Sequence, residues 1–114
     1  MPETAIRPRP WYVLPVAGLA GMFFANALPH VLAGPLILHL PTPFSGGPGT
    51  LSSPMVNVLW GLSNVLIGAL LVRSVQPWAS GRATRITMAA AAAAFLVFLT
   101  WAIGSMPLPA RFQL

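Results

Sequence analysis

The stretch PMVNVLWGLSNVLIGALLV, Pro54 to Val72, decides the fold. It contains no charged residue, and an α-helix needs roughly 20 such residues to cross the hydrocarbon core of a bilayer. Ser53 before it is a good N-cap. Pro54 suits the first helical position, where its missing N–H removes no hydrogen bond. Arg73 and Pro77 mark the end, so the span extends to about Val75. On a helical wheel, Asn57, Gly61, Asn64 and Gly68 fall within about 40° of Asn57, and Trp60 lies about 60° away. The opposite side carries Leu59, Leu66 and Leu70 among others. This helix therefore has a polar-and-small face and a lipid-like face.

Two further spans flank it. Ile86 to Met106 is apolar, preceded by Thr84 and Arg85 and closed by Gly104, Pro107 and Pro109. The other begins at Trp11 and Tyr12 and runs to about Val31, with Pro15 near its first turn, where a proline is tolerated. The expectation is one all-α membrane domain over 1–114 with three transmembrane helices, at about 11–31, 54–75 and 85–106. The 32–53 connection, VLAGPLILHLPTPFSGGPGTLSS from Val31 onward, is apolar and rich in Pro and Gly. It is too greasy for an ordinary solvated loop and too broken for a fourth span, so it reads as an interfacial or re-entrant outer loop.

Composition agrees. The chain of 114 residues is 56% hydrophobic and only 6% charged, against about 25% charged in a soluble domain. Six Arg, no Lys and one acid, Glu3, give a net charge of +5. Arg7, Arg9, Arg73, Arg82 and Arg85 fall on one side of a three-span topology, with Arg111 as the dissenter. The positive-inside rule then expects a cytoplasmic N-terminus and an outside C-terminus in the inner membrane. Trp11, Tyr12 and Trp78 suit the inner aromatic belt. The Arg residues lack the clustered pattern of a nucleic-acid surface, and lipid phosphates suit them better. Arg and Ala over Lys lean toward a GC-rich bacterium. Arg7, Arg9, the apolar stretch and Ala25-Asn26-Ala27 also resemble a secretory signal, whose cleavage would leave two spans from Leu28. Pro15 and the apolar residues beyond the cut weigh against cleavage.

The polar residues within the spans ask for an explanation. Asn26, Pro29 and His30 are expected to end the first helix in the outer leaflet. Pro29 cannot donate to the Ala25 carbonyl, and lipid offers that carbonyl no partner. Asn57 lies at the same level on the second helix, and Asn64 about 10 Å deeper at 1.5 Å per residue. Asn26, His30, Asn57 and Asn64 are therefore expected to form a polar nook, for binding or for helix packing. Gly18, Gly21, Gly61 and Gly68 are the candidate packing glycines, and Ala89 to Ala94 the small stretch of the third span.

The chemistry of an enzyme is hard to assemble here. There is no Cys, and His30 and His39 are the only histidines. A zinc site needs three or four ligands, so no metal and no cofactor is expected. Ser45, Ser52 and Ser53 have no acid to orient a histidine base. GGPG at 46–49 lacks the Lys and the helix of a phosphate loop and reads as a turn.

The motifs NALPHVLAG and PTPFSGGPGTLSSPMVNVLWGLSNVLIG resemble those of a family of small bacterial three-span inner-membrane proteins. The shared pattern is N-A-x-P-H, T-P-F, S-S-P and N-x-L-W-G-x-x-N. It falls here on Asn26, Pro29, His30, Thr42, Pro43, Phe44, Ser52, Ser53, Asn57, Trp60, Gly61 and Asn64. Val31 departs from the aromatic expected after the histidine. The resemblance spans Asn26 to Gly68. It implies three spans and an uncleaved first helix, and it implies no particular chemistry.

The expected function is that of a structural, interaction or assembly subunit, not an enzyme, in a homo-oligomer or a larger membrane complex. An alternative is a small homo-oligomeric channel or transporter lined by Asn57 and Asn64. A third reading is a ligand-binding or redox component that uses His30.

Overall fold

A computed structural model describes residues 7–45 and 50–105. The GGPG turn, Glu3, Met106 and Arg111 lie outside the described residues. Among the described residues the protein is all-helical, without strands. Its helices are α1 (Val13–Ala33), α2 (Pro54–Ser74) and α3 (Arg82–Gly104), with a single 3₁₀ turn, Trp78–Ser80, between α2 and α3. Each of the three is long and apolar enough to cross a membrane. The protein is therefore a multi-pass membrane protein.

The elements start and stop for local reasons. The Ser53 hydroxyl accepts the Val56 N–H at 3.2 Å and caps α2, whose first residue is Pro54. Gly81 is extended and precedes α3. That helix begins at Arg82, three residues before the expected start, so that Thr84 is buried in its first turn.

α1 continues through Pro29 to Ala33, two residues past the expected end near Val31, so Asn26, Pro29 and His30 do not end it. Pro29 removes one hydrogen bond, yet the next turn is held from outside by α2. The termination comes later. Gly34 N–H turns to the Val31 carbonyl at 3.3 Å, since Pro35 has no N–H to offer it. Then Ile37 N–H reaches the Gly34 carbonyl at 3.1 Å and Leu38 N–H the Ala33 carbonyl at 2.8 Å. This pair of bonds is the Schellman pattern, which places one residue in the left-handed region. That residue is Ile37, at φ 54°. A β-branched side chain is strained there, and Ile37 faces outward, where no packing opposes the conformation.

α1 is the middle element, and α2 and α3 pack on it from different sides. The arrangement is inside-out relative to a soluble protein. The buried residues of α1 are mostly small, including Ala17, Ala20, Gly21, Ala25, Ala27 and Ala33. Those of α2 are Asn57, Gly61, Asn64 and Gly68. Leu59, Leu62, Leu66 and Leu70 point outward. Between helices in lipid, small residues matter because they let backbones approach.

Two contacts show this. A Cβ on Gly61 would lie 2.8 Å from the Val31 backbone nitrogen and 3.1 Å from the Ala27 carbonyl oxygen. One on Gly68 would lie 2.7–2.9 Å from the Phe24 ring. So Gly61 and Gly68 seat α1. Gly18 and Gly21 instead face α3. A Cβ on Gly21 would fall onto the Met88 carbonyl oxygen, whereas one on Gly18 would find Ala91 and Thr87 at an ordinary 3.9 Å. At the other end of the bundle Val13, Ala17, Val75 and Thr84 are buried, and the Trp78 indole donates to the Arg7 carbonyl at 3.4 Å.

These glycines make a discriminating pair. Gly21→Ala should force α3 away from α1 and destabilise the fold by about 1–3 kcal/mol, the usual range for overpacking. Gly18→Ala should be neutral within about 0.5 kcal/mol. Unfolding of the full chain in mixed micelles measures both, and equal effects would contradict the close α1–α3 contact at Gly21.

Candidate functional site

The polar side chains of α1 and α2 form a seam between the antiparallel helices. As α1 rises toward Ala33, α2 descends from Pro54, which sets Asn26 opposite Asn64 and His30 opposite Asn57. The Asn26 amide donates to Asn64 Oδ1 at 3.0 Å. His30 Nδ1 and Asn57 Oδ1 are 2.6 Å apart. Asn64 also donates to the Trp60 carbonyl, one turn earlier on its own helix, at 2.7 Å. Asn57 and Asn64 are fully buried and His30 is buried. The structure thus brings together all four residues expected in the nook.

Asn57 is the hub. Its Nδ2 lies 3.1 Å from the Leu40 carbonyl oxygen, 3.2 Å from that of Ser52 and 3.0 Å from that of Ser53. Leu40 and Ser52 are the two ends of the loop beneath α2, and Ser52 N–H also donates to the Leu40 carbonyl at 3.0 Å. One amide therefore ties α1, α2 and the connecting chain at one point.

Hydroxyls complete this closure. Ser52 Oγ is 2.7 Å from Thr42 Oγ1 and 2.9 Å from Ser45 Oγ. Ser45 Oγ accepts the Thr42 N–H at 2.8 Å, and Thr42 Oγ1 accepts the Phe44 N–H at 3.1 Å. Phe44 then meets Trp60 edge-to-face, with centroids 5.8 Å apart. The 34–45 segment is folded back on the helices by these bonds.

This geometry limits the chemistry. Ser45 and Ser52 bond to Thr42 and to each other, and Ser53 is occupied as a helix cap; none is bonded to a histidine. Among the described residues no group of three or more His, Cys, Asp or Glu converges. His39 is separate from the seam. Its Nδ1 is buried, and nothing among the described residues hydrogen-bonds to it.

Beside the seam lie two apolar hollows. One, of about 260 Å³, is lined by Pro29 and His30 of α1, Leu40 and Pro41 of the connection, and Leu99, Ala102 and Ile103 of α3. A shallower one of about 150 Å³ touches Asn26, Asn64, Trp60 and Phe95. The α3 residues carry no chemical signal in the sequence, so only the fold reveals them as neighbours of His30.

Comparison with protein-family models, with curated proteins and with solved structures found no match to the chain.

Asn57 and Asn64 should differ in weight. Asn57→Leu strands His30 Nδ1 and loosens the loop closure, for a loss of about 2–3 kcal/mol, as expected when buried polar groups lose their partners. Asn64→Leu removes one interhelical bond to the half-buried Asn26, for about 1 kcal/mol. Reversible unfolding in bicelles would measure both, and a larger loss for Asn64→Leu would contradict the hub.

Proposed function

We propose that this protein is a non-enzymatic assembly subunit of a bacterial inner membrane, joining copies of itself or other membrane proteins through the outward face of α3. The observation that carries this reading is the bareness of α3. None of its most apolar 18-residue window is buried within the chain. Ala89, Ala90, Ala93 and Ala94 are all exposed on it. Alanines allow another helix to approach closely, whereas the leucines on the outer face of α2 suit lipid. Phe95, Phe98 and Trp101 stack along the same helix, with centroids 5.7 and 6.1 Å apart. Large aromatic rings supply contact area at low entropic cost.

The channel reading has less support. Both side-chain amides are buried and bonded inside one chain, Asn57 to His30 and the Leu40 carbonyl and Asn64 to Asn26 and the Trp60 carbonyl, so they face the α1–α2 contact rather than a pore. The apolar surface is suited to lipid and protein rather than nucleic acid. By the distribution of Arg, the N-terminus is cytoplasmic and the C-terminus outside.

Native mass spectrometry of the tagged protein, extracted gently from its own membranes, should give a defined mass above that of one chain. Ala90→Leu with Ala93→Leu should return it to a single chain. A monomer in the unaltered protein would overturn the proposal. For orientation, a reporter after Leu114 that is active only outside the cytoplasm is the expected result, and cytoplasmic activity would contradict it.

A further inference from the structure

The hydrogen bonds around Asn57 determine which nitrogen of His30 carries a proton. Asn57 Nδ2 faces three carbonyl oxygens. Carbonyls only accept, so the group facing them must be the NH₂ and not the amide oxygen. Asn57 Oδ1 is then the atom 2.6 Å from His30 Nδ1. An amide oxygen also only accepts, so Nδ1 must donate. In a neutral imidazole with a proton on Nδ1, Nε2 is a bare acceptor.

Among the described residues nothing hydrogen-bonds to Nε2. Asn57 alone bonds to the His30 ring among the described residues. Nor is Nε2 among the fully enclosed polar atoms left without a partner. His30 lines the hollow of about 260 Å³, whose other walls are Pro29, Leu40, Pro41, Leu99, Ala102 and Ile103. The ring has its Nδ1 edge on α2, and His30 is the one lining residue with a polar side chain in a hollow that reaches across to α3.

We propose that this hollow binds the hydroxylated ring of a lipid-soluble phenol or quinol, with the ligand hydroxyl donating to His30 Nε2. Size and polarity both select this class. An apolar cavity of about 150 Å³ is enough for benzene, so this one takes a substituted single ring. The walls offer apolar contact and one acceptor, which matches an apolar body with one donor. A charged headgroup would find no counter-ion among the side chains that line it. A quinone or an ether, which only accepts, would leave Nε2 unpaired. The hydrogen bond is thus the source of specificity and the ring burial the source of affinity. This proposal concerns the α1–α3 hollow and is independent of whether the outer face of α3 has a partner.

The test uses the full chain in phosphatidylcholine nanodiscs, with 4-propylphenol and its methyl ether, 4-propylanisole, as probes. Protein-free nanodiscs subtract simple partitioning. Long-range ¹⁵N–¹H correlation first reads the His30 tautomer, expected to carry its proton on Nδ1. The phenol should then bind saturably and shift His30 Nε2. The ether should bind about three- to tenfold more weakly, the worth of one net hydrogen bond. Ala102→Leu, which fills the hollow and leaves the His30–Asn57 bond in place, should abolish the saturable shift. A proton on Nε2, equal binding of phenol and ether, binding that Ala102→Leu leaves intact, or no binding above empty nanodiscs would each overturn the proposal.

Discussion

In hydrocarbon a polar side chain is stable only where the protein completes its hydrogen bonds, and Asn57 is where this chain does so most fully. Its oxygen holds His30 on α1, and its amide nitrogen holds the carbonyls of Leu40, Ser52 and Ser53. The rest of the α1–α2 half follows from that point. α1 persists past Pro29 because His30, Ala27 and Val31 are held on α2. Leu40 and Ser52 are held at the seam because they are bound to each other and to the same amide. The imidazole is fixed in one orientation for the same reason.

The α1–α3 half is built differently. Among the described residues no side-chain hydrogen bond joins these two helices, and Gly21 packs directly against the Met88 carbonyl. Helices in lipid gain little from hiding apolar surface, since the lipid is equally apolar. Close backbone packing and interhelical hydrogen bonds must hold them instead. α2 has both kinds of contact with α1, and α3 has only the first. An alanine-rich helix held by one side and bare on the other is well suited to receive a further helix. The contrast between the two halves is what favours an assembly role over a pore.

Much of this could be read from the sequence because the residues involved break a strong pattern. Asn57, Gly61, Asn64 and Gly68 recur at helical spacing in a run of leucines and valines, and they form the buried face of α2. Asn26 and His30 are rare polar residues at a matching depth, so their facing α2 was also legible. The end of α1 was not. Pro29 signals a break that the tertiary bonds override, and the residue that takes the left-handed conformation is Ile37, where a glycine would be expected. The closing role of the Leu40 carbonyl was invisible, since every residue has a carbonyl. So was the hollow: Leu99, Ala102 and Ile103 look like any residues of an apolar span until the fold sets them beside His30.

The His30–Asn57 bond is the lock between α1 and α2. A double-mutant cycle measures it most directly, with His30→Phe, Asn57→Leu and the double variant unfolded reversibly in bicelles. The expected coupling is about 1–2 kcal/mol, toward the upper end for interhelical hydrogen bonds in membranes. Additive losses, with no coupling between the two positions, would mean that the helices are held by their small-residue packing alone and would contradict it.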